Sequence, residues 1–553
     1  MDVIDQARAK LGLTDTIDLS AWDNMAQMQS QACTRSPQAP AFTCMGQTLS
    51  YAELEQLSDQ FAAYLYHHTP LQAGDRVALQ LPNVLQYPVA FLGVLKAGMV
   101  VVNTNPLYSE RELVHQFNDS GAKALIVLAN VAGHTAKALP KTGIKHVIVT
   151  ELGDLHSPVK RVLINFAARY IKKLVPEYHI PNITPFTRAL AMGKGKTVPL
   201  SEAKRDDLMA LVYTGGTTGV SKGAMISHAN LMANVMQLQE VRHALQLGDG
   251  SEIGILPLPL YHIYASMLSA VSIYANDHTI LIPNPRDIDG MVKVLKGVKM
   301  STFAGLNTLF IGLTNNPGFR ELDFSSLKLT MSGGMALSRD AADKWQKVTG
   351  CDIWEGYGLT ETTGAVTCNP GQANQRGTIG LPVAGTQVRI VDEEGQVLGV
   401  DQPGELCARG PQVMLGYWQR AEATSEAIDN EGWFSTGDIA VVQPDGYIRI
   451  VDRKKDMVIV SGFNVYPNEV EDVLTDYAGV MEAAVIGIPN EKTGEAVKAF
   501  VVPAVDELSL TELESHCREN LAAYKVPRSF EVRTELPKSA VGKILRRELR
   551  DQN

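Results

Sequence analysis

The sequence predicts an α/β protein with a β-rich lobe and a compact α+β unit at its C-terminal end. Three observations predict it. Short, continuous apolar runs alternate with helical patterns from about residue 77 to about 355. Period-two alternation replaces them between about 377 and 452. Beyond about 455, a strand–helix–strand–strand–helix pattern fills about 100 residues, a normal domain size. Continuous apolar runs suit a parallel sheet covered on both faces, whereas alternation suits antiparallel strands with one wet face.

Taken in order, Val77–Leu81 reads as a strand, Val84–Leu95 as a helix and Met99–Val102 as a strand. Ser109 starts a helix, Glu112 completes a capping box with it, and Gly121 stops it. Ala124–Leu128 and His146–Thr150 are further strands. A second series follows at Leu208–Tyr213, Ile253–Leu258, His278–Ile282, Lys328–Met331 and Asp352–Glu355. In the lobe, Gln387–Asp392 and Tyr447–Val451 alternate, with turns at Glu394-Gly395 and Asp445-Gly446. The last unit offers a strand at Met457–Val460 and a helix at Glu469–Asp476. Strands at Ala483–Ile488 and Val497–Val502 follow, then a helix capped by Thr511 and Glu514.

A chain of 553 residues, 45% apolar and 20% charged, has enough material for a sizeable core and is not disordered, collagen-like or coiled-coil. Its net charge of −10 excludes a global basic field for nucleic acid. Six cysteines without CxxC spacing argue against a disulfide framework or zinc site and fit a reducing compartment. The N-terminus has no signal-peptide core, and the stretch Val89–Leu95 is too short for a bilayer helix, which needs about 20 apolar residues. The expected location is cytoplasmic.

Five segments carry chemistry. The first is Tyr213-Thr214-Gly215-Gly216-Thr217-Thr218-Gly219-Val220-Ser221-Lys222-Gly223-Ala224. Its glycines let backbone N–H groups point at one spot, its threonines add hydroxyls and Lys222 adds charge. That suits a phosphate cradle, although it lacks the Walker A spacing; a plain flexible loop is the other reading. The second is Glu355-Gly356-Tyr357-Gly358-Leu359-Thr360-Glu361, where glycines admit a flat ring beside Tyr357 and Glu361 offers a Mg²⁺ ligand; a strand-end turn reads equally well. The third is Ser435-Thr436-Gly437-Asp438, either a turn with a capping acid or a carboxylate for ribose hydroxyls. The fourth, Asp452-Arg453-Lys454-Lys455-Asp456 followed by Ser461-Gly462-Phe463-Asn464, is a solvated charge run or a hinge. The fifth is Pro537-Lys538-Ser539-Ala540-Val541-Gly542-Lys543, a helix lead-in or the carrier of an ammonium group.

Taken together and in this order, the five motifs resemble the adenylate-forming superfamily of acyl-CoA synthetases, luciferases and peptide-synthetase adenylation domains. The similarity runs from about residue 25 to 550 and is greatest to bacterial long-chain fatty-acid–CoA ligases. Supporting stretches are Asn105–Tyr108, Pro259–His262, Gly410–Trp418 and Asp452–Pro467. The resemblance implies a large α/β N-terminal domain, residues 1–454, of two parallel-sheet subdomains plus a β-barrel-like lobe. A small mobile α+β C-terminal domain would occupy 455–553. It further implies ATP-dependent activation of a fatty acid to acyl-CoA through an acyl-adenylate, with AMP and pyrophosphate released and β-oxidation as the setting. By motif, the 213–224 loop would hold phosphates, and Thr214 and Glu361 would coordinate Mg²⁺. Tyr357 would stack on adenine beside Gly333, Gly334, Glu355, Gly356, Gly358 and Thr360. Asp438 would hold ribose with help from Arg453, Lys543 would bridge carboxylate and α-phosphate, Lys455 would be the hinge, and Gly462 would border a coenzyme A tunnel. His262 would border the acyl site or simply pack near a strand end, and Phe303–Leu309 with the Gly333 region would line the acyl tunnel.

Within 151–205, Leu163, Phe166, Ala167, Tyr170, Ile171 and Leu174 form one face of a helix, with Lys160, Arg161, Arg169, Lys172 and Lys173 around it. It reads as a surface helix packed on the body, or as a peripheral contact with an anionic membrane through 160–175, on the cytoplasmic face of the inner membrane. The expected partners are fatty acid, ATP and coenzyme A, without nucleic acid; a homodimer stays open. The alternatives in function are acyl transfer to a carrier protein after adenylation and a non-catalytic acyl-AMP or lipid-binding regulator, against which the presence of both Glu361 and Lys543 argues.

Overall fold

The computed structural model describes residues 3–199, 201–214, 221–248, 250–461, 463–490, 492–539 and 543–552. A seven-stranded sheet carries the first apolar series and also Leu208–Thr214, which the sequence pattern groups with the second. Its order is Thr184–Pro185, His146–Thr150, Ala124–Leu128, Arg76–Gln80, Val100–Asn103, Leu208–Thr214 and Lys222–Ser227. Only the last pairing is antiparallel. The strand Ala124–Leu128 is buried along its whole length, as a run covered on both faces requires. Before it, Ser109 and Glu112 form the expected capping box, and Gly121 closes the helix Glu110–Ser120 in the left-handed conformation.

A second sheet of nine strands carries the later series. Ile253–Leu256, His278–Leu281, Thr302–Gly305, Leu329–Ser332 and Ile353–Leu359 are its parallel centre. The strand Pro40–Cys44, which the sequence pattern did not single out, docks parallel on His278–Leu281 across more than two hundred residues. Ile353–Leu359 changes partners midway. It pairs parallel with Leu329–Ser332 through Glu355, then antiparallel with Gly364–Cys368 from Gly356 onward. Residues 355–359 are therefore strand rather than turn. Gly358 is obligatory there, because an added Cβ would lie 1.5 Å from the Gly364 carbonyl oxygen.

The β-rich lobe contains a four-stranded antiparallel sheet, Gln387–Val391, Gly404–Arg409, Phe434–Val442 and Ile448–Arg453. Asp438 lies within the third of these strands, not in a turn. The smaller C-terminal domain has a mainly antiparallel sheet. Its long hairpin, Val480–Asn490 with Gly494–Pro503, is flanked by Val458–Val460 and, in parallel, by Ser529–Val532. Helices Pro467–Asp476 and Leu510–Asn520 contribute Val470, Leu474, Leu513 and Cys517 to its own core. Ser509, not Thr511, caps the second helix, accepting the Glu512 N–H. All six cysteines are free and buried.

The segment around residue 165 departs from packing on the body. Pro158–Phe166 is helical and Ala167–Ile171 continues it as a wider π turn, yet no residue of the first part is buried. Val159, Val162, Leu163, Phe166, Tyr170, Ile171 and Leu174 are 54–72% exposed.

Candidate active site

Parallel sheets place ligands at the carboxyl ends of their strands. Here those ends converge on one cavity of about 540 Å³. Thr214 ends the strand Leu208–Thr214. Leu258 and Pro259 follow Ile253–Leu256, Leu306 follows Thr302–Gly305, and Ser332, Gly333 and Gly334 close Leu329–Ser332. Gly356, Tyr357, Gly358, Thr360 and Glu361 line the cavity from the strand that changes partners and the turn after it. The lobe adds Thr436, Gly437, Asp438 and Arg453 from adjacent strands, and Lys455 and Lys543 complete the wall.

Asp438 is buried and well partnered. The Tyr357 hydroxyl donates to its Oδ2 at 2.6 Å, and Arg453 Nε lies 3.4 Å from its Oδ1. Glu361 accepts from the Tyr417 hydroxyl at 2.8 Å, and Lys222 Nζ sits 5.1 Å over the Tyr417 ring. Lys543 is held by two bonds with Ser539: Ser539 N–H donates to its carbonyl at 2.7 Å, and its own N–H donates to Ser539 Oγ at 3.1 Å. Burial, then the neighbouring Arg453, holds the Lys543 ammonium down to about 7; Asp438 opposes the shift. Burial and Arg453 hold Lys455 at about 8. The cavity thus gathers four basic side chains, Lys222, Arg453, Lys455 and Lys543, with the carboxylates of Asp438 and Glu361, an arrangement that suits a polyanion.

His262 also reaches the cavity wall. It caps the helix Ile263–Ala275, its Nδ1 accepting the Tyr264 N–H at 3.4 Å. Burial, then the charge on Lys543, pushes its imidazole down to about 4, so it is neutral near pH 7. The cavity's apolar wall is formed by Leu238, Leu258, Ile263, Met267, Leu306 and Met331.

Several expected site residues face elsewhere. The Glu355 carboxylate accepts the Gly377 N–H at 3.1 Å outside the cavity, because its strand bends toward a new partner immediately after it. The Tyr213 hydroxyl donates to Asp119 at 2.7 Å. Ser221, Gly223 and Ala224 do not line the cavity; Gly223 and Ala224 lie in the second strand of the hairpin. Gly215, Gly216, Thr217, Thr218, Gly219, Val220 and Gly462 lie outside the described residues. Of Phe303–Leu309, only Leu306 lines the cavity; Phe303 packs on Phe310 and Trp345 instead.

Sequence reasoning missed Tyr264. Its hydroxyl and that of Ser332 are buried, line the cavity and have no hydrogen-bond partner among the described residues. Such orphaned groups call for a ligand or water. Position alone offered a clue, two residues after His262. Asp119 was missed too. It joins Tyr213, Arg420 and the Trp418 indole, and so binds the hairpin to the Gly410–Trp418 stretch.

The chain is similar to known proteins over nearly its whole length. Residues 29–418 match the family model described as AMP-binding enzyme, and 469–543 match the AMP-binding enzyme C-terminal domain. The chain is 49% identical to the long-chain-fatty-acid–CoA ligase of Escherichia coli O157:H7, over 97% of this chain and 96% of the relative. It is 36% identical to that of Bacillus subtilis strain 168, over 95% and 93%. Among solved structures, the anthranilate CoA ligase AuaEII in complex with anthranoyl-AMP superposes with a TM-score of 0.85 at 25% identity, covering 97% of this chain and 98% of the other. ATP-bound MatB from Rhodopseudomonas palustris gives 0.81 at 29%, covering 96% and 99%.

Proposed function

The chain belongs to the AMP-binding enzyme family, and we propose that it is an ATP-dependent long-chain fatty-acid–CoA ligase. One observation carries the mechanism: Lys543, from the C-terminal domain, enters the same cavity as Thr214, Glu361 and Asp438 from the body. Two anions must meet in the first step. A fatty-acid carboxylate oxygen attacks the α-phosphorus of ATP, the bond to the β-phosphate bridging oxygen breaks, and pyrophosphate leaves. Lys543 lies between the reactants, and its positive charge offsets their repulsion and the charge that builds up during transfer. Asp438 accepts from the ribose hydroxyls, Tyr357 stacks on adenine beside Gly333 and Gly334, and Arg453 steadies Asp438. The apolar wall from Leu238 to Met331 takes the acyl chain.

The donor set fits Mg²⁺ travelling with ATP. Glu361 supplies a carboxylate and Thr214 a hydroxyl, and a magnesium ion commonly takes one or two carboxylates, with substrate phosphates and waters completing its shell. When bound, the ion would neutralise phosphate charge.

In the second step the coenzyme A sulfur attacks the acyl carbonyl, AMP leaves, and the thiol proton passes to solvent. Lys455 acts as the hinge between a body ending at 454 and a small domain beginning at 455. Turning there withdraws Lys543 and opens a thiol path near Gly462. Incubation with ATP, a panel of fatty acids and Mg²⁺, with and without coenzyme A, tests the assignment. Pyrophosphate release with every active acid, and acyl-CoA only when coenzyme A is present, is expected. Product only on addition of a carrier protein would overturn it.

The apolar stripe of residues 158–174 serves as a peripheral contact with anionic lipid, where long-chain acids partition. Its seven exposed apolar side chains support this, as does a run from 155 to 176 with five basic residues and no acidic one. Arg169 belongs to the protein side of that contact, since it pairs with Glu151 at 2.7 Å. Changing Lys160, Arg161, Lys172 and Lys173 to Glu is expected to abolish sedimentation with phosphatidylglycerol vesicles. Unaltered sedimentation would refute the contact, and loss of a dimer instead would assign the stripe to a second copy of the chain.

A further inference from the structure

The boundary beside Lys455 is crossed by a chain of hydrogen bonds that the mechanism above does not use. On the body side, Asp452 lies in the strand Ile448–Arg453, opposite Ile439 of the neighbouring strand. Its carboxylate is fully buried. Oδ1 accepts the Arg453 N–H at 2.7 Å, and Oδ2 reaches across to accept the Asn468 N–H at 2.7 Å. Asn468 is in the first turn of helix Pro467–Asp476, whose N-terminal dipole favours a carboxylate there. The Asn468 side chain continues the path in both directions. Its Nδ2 donates to the Val451 carbonyl at 3.3 Å, and its Oδ1 accepts from Arg546 at 2.7 Å. Arg546, three residues beyond Lys543, also grips Glu471 at 3.1 and 2.7 Å. The body strand is thus joined through Asn468 to the segment that presents Lys543.

Beyond the hinge the bonding is internal to the small domain. Asp456 receives Arg550 at 2.7 Å and Arg546 at 3.4 Å. A turn at Lys455 leaves those pairs together but parts Val451 and Asp452 from Asn468. We infer that Asp452 and Asn468 are positioning residues, an orientation latch that holds the small domain with Lys543 in the cavity and must open before thioester formation. The inference rests on the reading of Lys455 as the hinge. A contact made in one orientation alone shifts the population toward it. Opening the latch costs Asp452 its bond to the Asn468 N–H, a hydrogen bond to a charged group, so it is a contact with real leverage.

The two half-reactions are read separately on the full-length enzyme: ATP–pyrophosphate exchange with a fatty acid, and conversion of supplied acyl-adenylate plus coenzyme A to acyl-CoA. Asp452→Ala should slow the first about tenfold, in line with loss of a hydrogen bond to a charged group, and leave the second within about twofold. Asn468→Ala, which keeps the backbone N–H but removes the Val451 and Arg546 bonds, should show the same split more weakly. Asp452→Asn, which keeps the shape and an acceptor, should restore much of the exchange rate and stands in if the alanine variant fails to fold. Equal loss in both half-reactions, or no loss in either, overturns the latch. Lys455→Pro separates the two ideas. If it splits the half-reactions while the latch variants do not, only the latch falls; if it lowers both equally, the hinge itself falls.

Discussion

The body and the C-terminal domain hold their shares of the cavity in different ways. Thr214, Gly333, Tyr357 and Asp438 stand at or within strands held in sheets by ladder hydrogen bonds. Lys543 is held by two bonds with Ser539, and Lys455 stands just past the strand Ile448–Arg453. The body's share of the cavity rests at or within strands, the small domain's on residues outside them. On the proposed mechanism, nucleotide recognition falls to the strands of the body, and the charge that assists the reaction to an element that can leave.

The largest break in that comparison is expected from Lys543→Ala. Loss of one stabilising donor costs about 10²–10³ in rate, ~3–4 kcal/mol. Pyrophosphate release should fall by that factor while supplied acyl-adenylate still reacts with coenzyme A. Normal pyrophosphate release would remove Lys543 from the mechanism. Next in size, Lys455→Pro should leave pyrophosphate release largely intact and block thioester formation, since a proline ring fixes φ where the turn must occur. On the body side, Gly358→Ala should lower both half-reactions together and destabilise the fold by about 1–3 kcal/mol, because its Cβ meets the Gly364 carbonyl oxygen. A lower melting temperature with an unchanged ratio of the two rates is the signature to measure.

The smallest effect sharpens the comparison through protons. Lys543 sits at about 7 among its protein neighbours, below its ordinary 10.5. Between those values the docked lysine binds fewer protons than an undocked one, so docking without ligand strengthens as pH rises from 7 toward 10.5. Bound phosphates and carboxylate draw the proton back. Joint binding of a non-hydrolysable ATP analogue and a fatty acid at pH 8.5 should therefore take up to about one proton, seen as a heat that depends on buffer ionisation. Lys543→Met should abolish that dependence.

Much of this was legible in the chain. Ala124–Leu128 and His146–Thr150 announced themselves as continuous apolar runs, and Ser109 with Glu112 fixed a helix start to the residue. The motifs also marked the cavity wall at Thr214, Tyr357, Glu361, Asp438 and Lys543. Local pattern could not say which way each side chain turns. Glu355 and Tyr357 share a motif, but the change of strand partner at Gly356 sends the first to Gly377 and the second to Asp438. Nor could it find Pro40–Cys44 in the second sheet, since that pairing is set by contacts with residues 279 and 280. Burial of the 158–174 stripe depends on whether another element covers it, which helical periodicity alone does not reveal.

An enzyme that hands an activated acyl group to a sulfur nucleophile runs a risk of acylating itself. All six of its own cysteines are interior, and Cys368 even borders the reaction cavity. Burial pushes the thiols of Cys33, Cys44 and Cys368 up to about 12 and that of Cys517 to about 11, and raises Cys351 and Cys407 as well. Thiolate, not thiol, is the attacking species. The fold thereby silences its resident competitors and leaves the mixed anhydride to the visiting cofactor.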